Sequence, residues 1–266
     1  MAVWNATKVY KSGLSLTTLR GVISVVGLLV VWELGRRLQV PFFAAVPAPS
    51  EVVVALEKVI GSGRFWSDWA ASYSRVLVGF VAAQIIGVPL GLAMAMNRPF
   101  YHFVFPPLEV LRPIPPLAWV PTAIIFWPTT ELSIAFVIFL GAFFTVVLNV
   151  LGGARNIDER HIRAAASFGS RRRDIFWKIV LPATLPSIFT GMAVGMGITW
   201  EVVVAAEMIA GKSGLGYFTW SSYIGGNYPQ IIVGMISIGF AGYFSSGLIR
   251  ILGTRRTDRR RQRPVL

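Results

Sequence analysis

The sequence predicts an all-α membrane protein with about six transmembrane helices and a cytoplasmic loop of two short helices. Three observations support this class. Of the 266 residues, 55% are hydrophobic and only 14% are charged, whereas a soluble domain usually carries about 25% charged residues. The mean hydropathy is +0.64. The apolar residues form several runs of about 20 residues, the length that crosses a bilayer as a helix.

Charge and cysteine content narrow the functional classes. The net charge is +13, but the positive residues concentrate at the ends and in one internal loop, which favours a membrane surface over nucleic acid as their partner. The chain has no cysteine, so disulfides, zinc–cysteine sites and cysteine nucleophiles are excluded. We expect no cleavable signal peptide, because the first apolar run is long enough to span and lacks a small-residue cleavage site.

The apolar runs define a transmembrane domain over residues 21–252. Residues 1–20 are predicted to lie in the cytoplasm or on the membrane surface, and residues 253–266 form a basic cytoplasmic tail. The spans are placed at 21–40, 74–97, 103–126, 130–152, 183–206 and 229–252. Six spans put both termini and the loop at 153–182 on one side, and that side then holds most of the arginines, as the positive-inside rule requires.

Glycine and proline distinguish individual spans. Gly87 and Gly91 in the second span, and Gly191 and Gly195 in the fifth, are four residues apart, which predicts close approach between helices. The third span contains six prolines between residues 106 and 121. Interior prolines remove helix hydrogen bonds, and irregular backbone is tolerated at membrane depth only where protein or water covers it. Residues 207–228 are predicted to form a loop.

The loop at 153–182 contains the most specific pattern of the chain. An alanine-rich stretch predicts a short helix over residues 162–168. Gly169 is expected to adopt a left-handed backbone just past its end. Ser170 is predicted to cap a second short helix over 171–177, which has an apolar side and a basic side.

Charged residues inside the predicted spans are candidates for function, because a charge in a membrane is costly. Glu109 and Arg112 are three residues apart and can pair on one helix face. The sequence fits two interpretations of these residues. They form a structural ion pair, or Arg112 lines a path for an anion, because a guanidinium suits oxyanions. Glu201 lies deep in the fifth span, and Glu207 near its outer end, where a gate and a solvated end residue fit the sequence equally. Glu33 is a further candidate.

Catalytic and metal sites are not predicted. His102 and His161 are far apart and lack companion ligands, and no Ser-His-Asp or paired-acid arrangement stands out. Residues 206–213, AEMIAGKS, are similar to a phosphate loop, but an alanine replaces the first glycine and the preceding segment is a predicted membrane helix. Trp119 and Trp200 are expected to pack within the bundle or at the membrane interface.

Three segments resemble importer permeases of the ATP-binding cassette (ABC) type. The loop motif of that family reads Glu-Ala-Ala, three residues, Gly, nine residues, Ile-x-Leu-Pro. The chain matches it from Arg163 to Pro182, with an arginine in place of the glutamate. Residues 111–121, LRPIPPLAWVP, together with 204–208 and 213–217, are similar to permeases for taurine, aliphatic sulfonates, nitrate and bicarbonate. The likeness covers roughly residues 47–252 and is nearer to the taurine and sulfonate branch.

The resemblance implies the permease of an importer in the bacterial inner (cytoplasmic) membrane, with no cofactor, metal or catalytic residue of its own. The implied partners are a second permease copy in a homodimer, two cytoplasmic ATPases that bind ATP and Mg, and a periplasmic or lipid-anchored substrate-binding protein. The two short helices of the coupling loop (residues 153–182) would seat in a groove of each ATPase. The residues assigned to ATPase coupling are Arg163, Ala164, Ala165, Phe168, Gly169, Arg171, Phe176, Leu181 and Pro182.

The same interpretation predicts a path for a small anion through the bundle. A taurine-like sulfonate is the favoured solute, with nitrate and bicarbonate as the other candidates. The alternative function is an ion-coupled secondary transporter, which predicts uptake driven by a proton gradient and an internal inverted repeat; no repeat is evident in the sequence. The residues predicted to line the path are Arg112, Pro115, Pro116, Trp119, Trp200, Glu201 and Glu207.

Overall fold

Most of the residues that the structure describes are helical. The computed structural model describes residues 16–41, 43 and 45–261, and side chains between residues 19 and 254 of these ranges. The prediction for residues 1–20 therefore lies mostly outside the described residues. The chain divides into two compact units, one ending at Glu57 and the other beginning at Lys58.

The first unit contains α1 (Leu16–Arg37) and most of α2 (Pro49–Ile60). Glu33, one of the candidate intramembrane charges, joins the two helices. Its Oε1 accepts hydrogen bonds from Arg37 Nε at 2.7 Å and from Ser50 Oγ at 3.0 Å, and its Oε2 accepts one from Ser50 N at 3.1 Å. Because the first N–H groups of a helix have no partner within the helix, Glu33 stabilises the start of α2.

The second unit contains the remaining elements of the chain. In order these are α3 (Gly63–Met96), α4 (Arg98–Leu111), a 3₁₀ helix (Pro116–Trp119), α5 (Val120–Phe126), α6 (Thr130–Arg155), α7 (Glu159–Ser167), α8 (Arg172–Ile175), a π-helical turn (Phe176–Val180), α9 (Leu181–Ala210), α10 (Leu215–Ile224) and α11 (Tyr228–Arg261).

Within the described ranges, four helical segments are long and apolar enough to cross a membrane. They match the predicted second, fourth, fifth and sixth spans, and the all-α membrane class is confirmed. The predicted first span is helical as α1, but it is not one of the four, so the total of six spans stays a prediction. The four segments are Gly63–Met96, Thr130–Arg155, Arg172–Ala210 and Tyr228–Thr254.

The third predicted span is not one helix. α4 ends at Leu111, residues 112–115 are not helical, and a 3₁₀ helix and the seven-residue α5 follow. Pro113, Pro115 and Pro116 explain the break, because a proline lacks the N–H that continues a helix and disfavours helical backbone in the residue before it.

Small residues let α3 and α9 pack closely on either side of α6. A Cβ on Gly91 of α3 would lie 2.9 Å from the carbonyl oxygen of Val147, and a Cβ on Gly191 of α9 would lie 2.8 Å from Asn149 Cβ. Both contacts are with α6, as they are for Gly87 and Gly195 one turn away. The close approach predicted from the two glycine pairs is confirmed, and it places these three helices at the centre of the unit.

Two further boundaries differ from the prediction. The loop expected over residues 207–228 contains α10, and α9 itself continues to Ala210, so Glu207 lies in its last turn. α11 runs past the predicted end of the sixth span to Arg261, so the first part of the predicted tail is helical. The last residues of that tail, 262–266, lie outside the described residues.

Candidate functional site

The first half of the coupling loop forms the predicted helix and glycine turn. α7 begins after Asp158, whose Oδ1 accepts a hydrogen bond from Arg160 N at 2.8 Å. At the other end, Gly169 N donates to Ala166 O at 2.9 Å and Ser170 N donates to Ala165 O at 3.1 Å. These two bonds define a Schellman motif, and Gly169 has the left-handed φ of +77° that the motif requires. The left-handed backbone predicted for Gly169 is confirmed.

The second half of the loop differs from the prediction. Ser170 does not cap the second helix, because α8 starts at Arg172 with Arg171 at its N-cap and without a side-chain cap. The helix also does not stop at residue 177 but continues through the π turn into α9, where Leu181 N donates to Phe176 O. The widened turn ends at Val180, two residues before Pro182, which has no N–H to give to a regular α-helical turn.

The base of the loop is anchored in the core and its tip is uncovered. Ile162, Ile175 and Phe176 pack against a buried cluster that includes Val150 and Val180. Phe168, at the turn, is 90% exposed. A large exposed aromatic side chain held on a well-packed base is typical of a surface that contacts a partner.

The predicted coupling residues divide between this base and this tip. The base holds Phe176 together with Ala165, Leu181 and Pro182, all partly buried. The exposed residues are Arg163, Ala164, Phe168, Gly169 and Arg171. Arg163 forms only a weak ion pair with Glu159, with Nη2 3.8 Å from Oε2 and both side chains 74% exposed, so its charge is available to a partner.

The residues predicted to line a path lie at the end of α4, in the interrupted segment after it and on α9. Arg112 lies at the end of α4 and pairs with Glu109, with Nη1 3.6 Å from Oε1 and both side chains about half exposed. The predicted pairing is therefore confirmed. Pro115 is exposed and Pro116 is partly buried beside it. Trp119 is also partly buried, and its indole N–H has no acceptor among the described residues.

The path candidates on α9 have different environments. Trp200 is 2% exposed, and its Nε1 donates to Ser245 Oγ at 2.9 Å, which binds α9 to α11. The packing expected for Trp200 is confirmed. Glu201, next to it, is exposed and forms no hydrogen bond or ion pair with any described residue. Glu207 is fully buried, so the solvated end position that the sequence left open does not apply.

Glu207 belongs to a polar network that the sequence did not predict, the Arg75 network (Ser72, Arg75, Glu131, Glu207 and Ser213), in which Arg75 and Glu207 are buried and Glu131 is exposed. Arg75 on α3 is 5% exposed and joins two carboxylates. Its Nε and Nη2 each donate at 2.6 Å to Glu131, at the start of α6, and its Nη1 donates to Glu207 Oε1 at 2.8 Å. Nη1 and Nη2 also donate to Ser213 O and Ser213 Oγ. All five N–H bonds of the guanidinium thus have acceptors.

The carboxylate of Glu207 is satisfied from the other side as well. Ser72 Oγ lies 2.8 Å from Oε1, and Gly216 N donates to Oε2 at 2.9 Å. Gly214 has a φ of +111°, and a Cβ there would collide with the carboxylate. The network therefore fixes the α9–α10 turn against α3 and α6. It lies at the end of α9 opposite the coupling loop.

A signal for Arg75 was present in the sequence. It is the second residue of the predicted second span, and an ionisable residue within a span is a candidate for function or for an ion pair. Its partners come from positions 56 and 132 residues away. No local sequence pattern shows that residues so far apart in the chain form a pair. The sequence could therefore identify Arg75 as a candidate but not its partners.

Comparisons with known proteins decide the family. Residues 87–262, well over half of the chain, match the family described as binding-protein-dependent transport system inner membrane component. The chain belongs to this family. It is 35% identical to the nitrate import permease protein NrtB of Leptolyngbya laminosa, over 73% of this chain and 69% of that protein. It is also 35% identical to the taurine transport system permease protein TauC of Escherichia coli, over 73% of each.

The fold of this inner membrane component agrees with a solved structure. A chain of the MetNI methionine ABC transporter, solved in inward-facing conformations, superimposes with a TM-score of 0.62 at 20% identity, over 73% of this chain and 95% of that one. The predicted class, a permease subunit of an ABC importer, is confirmed. The taurine and nitrate permeases are equally similar, so the predicted preference for the sulfonate branch stays a prediction.

Proposed function

We propose that this permease subunit forms the membrane path of a bacterial importer for a small anionic solute and is driven by a separate cytoplasmic ATPase. The favoured solute is a taurine-like sulfonate, with nitrate and bicarbonate as the other candidates. The complete importer would lie in the inner membrane and contain two permease copies, two ATPases that bind ATP and Mg, and an external substrate-binding protein.

The coupling loop is the observation that carries the ATPase part of the proposal. Phe168 is 90% exposed at the tip of a rigid turn, and Arg163 and Arg171 lie on either side of it in the chain. An apolar side chain beside cations fits a groove with an apolar pocket and a polar rim. Closure of the two ATPases on ATP would move two such loops together and rock the bundles as rigid bodies.

The interrupted segment after α4 supports the second permease copy and the path. Residues 112–115 leave backbone groups without helix partners, and Arg112 and Pro115 are exposed in the single chain. At membrane depth such backbone must face protein or water. A second copy facing this segment across a watery path satisfies that condition, and Arg112 would then attract the anion. Glu201, also exposed, is a further candidate for the lining.

A serine substitution at the loop tip tests the coupling. We expect Phe168→Ser to lower ATPase retention during purification at least about tenfold, because an aromatic anchor at an interface centre contributes most of the local binding energy. ATP-dependent uptake into proteoliposomes should fall with it. Ile224→Ser is the matched control, since Ile224 is 70% exposed on α10, far from the loop. Unchanged retention and uptake in Phe168→Ser would refute the proposal.

The energy source separates this function from an ion-coupled transporter. Uptake should stop when ATP is removed and continue when the proton gradient is collapsed.

Within the path, Arg112→Leu should reduce uptake of a sulfonate while leaving insertion intact, because the pair with Glu109 is half exposed and adds little stability. Uptake of every tested anion at the wild-type rate would make Arg112 a structural residue.

A further inference from the structure

A polar cleft lies at the end of the bundle opposite the coupling loop. Its volume is about 410 Å³, and it is formed by the last turn of α2, the first turns of α3 and α11, and α10. The 30 residues of α9 separate this end from the loop by about 45 Å at 1.5 Å per residue. If the coupling loop is cytoplasmic, as the proposed function requires, this outer cleft faces the outside.

The charge of the outer cleft has one sign. Lys58 and Arg64 line it, and no carboxylate is among its described lining residues. Neither cation forms an ion pair with a described residue. Asp68 is one turn along α3 from Arg64, but it is buried and its Oδ1 accepts a hydrogen bond from Gly214 N at 2.8 Å. Two cations without an ion-pair partner among the described residues therefore lie beside a cleft of small-molecule size.

The remaining lining combines amide donors with an aromatic wall. Asn227 and Gln230 lie at the start of α11, and the Gln230 Oε1 faces Ser222 Oγ at 3.4 Å, which leaves its amide N–H groups available. Phe65 and Phe218 form the wall, with ring centroids 5.6 Å apart in an edge-to-face arrangement. A ligand that fits both sides has an anionic head and a short apolar body.

The Arg75 network holds the walls of the cleft in place. Gly216 N donates to Glu207, and Leu215 N donates to Ser72 Oγ at 2.8 Å. These bonds fix the first turn of α10 to α9 and to α3, and Phe218 follows within the same helical turn. A site whose walls are fixed before the ligand arrives loses less entropy on binding.

We propose that the outer cleft is a binding site for a small organic anion, with the head group between Lys58 and Arg64 and the apolar body against Phe65 and Phe218. Binding sites for small molecules commonly have volumes of about 300–1,000 Å³, and a guanidinium matches the planar or trigonal oxygens of a carboxylate or sulfonate. The site selects organic anions over nitrate, because only an organic anion can use the aromatic wall. The site therefore identifies the solute of the proposed importer as an organic anion, and this inference rests on the proposed function.

Direct binding tests the site without transport. The permease, purified with its ATPases and placed in nanodiscs without ATP, is titrated with 1-butanesulfonate, with nitrate and with butylammonium by isothermal calorimetry. We expect butanesulfonate to bind at least about fivefold more tightly than nitrate, and butylammonium not to bind. Lys58→Ala and Arg64→Ala should each weaken butanesulfonate binding about three- to fivefold, and the double substitution more than tenfold. Lys212→Ala, an exposed lysine at the same end outside the cleft, should change nothing.

Two results would overturn the site. One is equal binding of butanesulfonate to the wild type and to the Lys58→Ala, Arg64→Ala double variant. The other is no binding of the sulfonate while docking of the external binding protein requires both cations, which would make the cleft a protein contact. Phe168→Ser separates the two proposals, because it should lose the ATPase and keep the sulfonate. Loss of the ATPase without any sulfonate binding would leave the coupling proposal standing and remove this one.

Discussion

The coupling loop and the Arg75 network lie at opposite ends of α9. They differ in how far their side chains are exposed and in how many partners those side chains have within the chain. At the loop, Phe168 and the arginines around it are exposed and make few contacts within the chain. In the network, Arg75 and Glu207 are buried and every N–H of the guanidinium has an acceptor. Exposed groups on a rigid base indicate a missing partner, whereas buried and satisfied groups indicate a scaffold.

The scaffold role of the network gives the largest expected effect. Arg75→Leu leaves the carboxylate of Glu207 buried without its counter-charge, and breaking a buried pair in this way usually costs about 3–5 kcal/mol. We expect a large fall in thermal stability in detergent, followed by intrinsic tryptophan fluorescence. Arg112→Leu is the matched control, and an exposed pair of that kind contributes at most about 1 kcal/mol.

The Arg75→Leu, Glu207→Leu double variant sharpens that test. Replacing both charges with apolar side chains removes the uncompensated carboxylate, so stability should recover in part. An additive loss from the two substitutions would show that Arg75 and Glu207 do not act as a pair, and the network would not be the scaffold described above.

Close packing of the central helices gives the next largest effect. Gly91→Ala places a Cβ 2.9 Å from the Val147 carbonyl oxygen, and overpacking of a core usually costs about 1–3 kcal/mol. The control is Gly197→Ala, where a Cβ would meet nothing within 4 Å. There alanine should be neutral or stabilising by up to about 1 kcal/mol through helix propensity. Thermal unfolding of the two variants measures the difference, and equal stability would contradict the tight α3–α6 contact.

The sequence predicted the coupling loop better than the Arg75 network, because the residue patterns that define the loop are local. The helix, the glycine turn and Gly169 depend on neighbours within about five residues, and so they could be recognised. The cap at Ser170 was wrong because tertiary packing of Phe176 and the π turn before Pro182 decide where the second helix begins and continues. Arg75, Glu131 and Ser213 meet only after α3, α6 and α9 pack, and no residue spacing encodes that meeting.

A substitution at the Gly169 turn should impair coupling to the ATPase more than it lowers stability. Gly169→Ala forces a left-handed backbone on a residue with a Cβ, which costs about 1–2 kcal/mol, although a Cβ would meet nothing within 4 Å. Gly226→Ala imposes the same strain, with φ of +71° and open space, at the opposite end of the bundle. We expect similar small losses of stability in both, but reduced ATPase retention during purification only in Gly169→Ala. Equal retention in the two variants would count against a coupling role for the turn.

The ion pair on α7 gives the smallest effect. Glu159 and Arg163 are 3.8 Å apart and mostly exposed, so Glu159→Gln should change the stability by less than about 0.5 kcal/mol. Thermal unfolding in low and high salt measures this. A loss above about 1 kcal/mol would mean that Arg163 is committed to this pair and not available to a partner.

The side of the membrane on which Phe168 lies decides whether the coupling loop can contact a cytoplasmic ATPase. Because the chain has no cysteine, Phe168→Cys and Ile224→Cys each introduce a single thiol that a membrane-impermeant maleimide can label in oriented vesicles. We expect the maleimide to label Phe168→Cys only in inside-out vesicles and Ile224→Cys only in right-side-out vesicles. We also expect a thiol-reactive crosslinker to join Phe168→Cys to the ATPase. Labelling of Phe168→Cys from the outside, or the absence of any crosslink to the ATPase, would contradict these expectations.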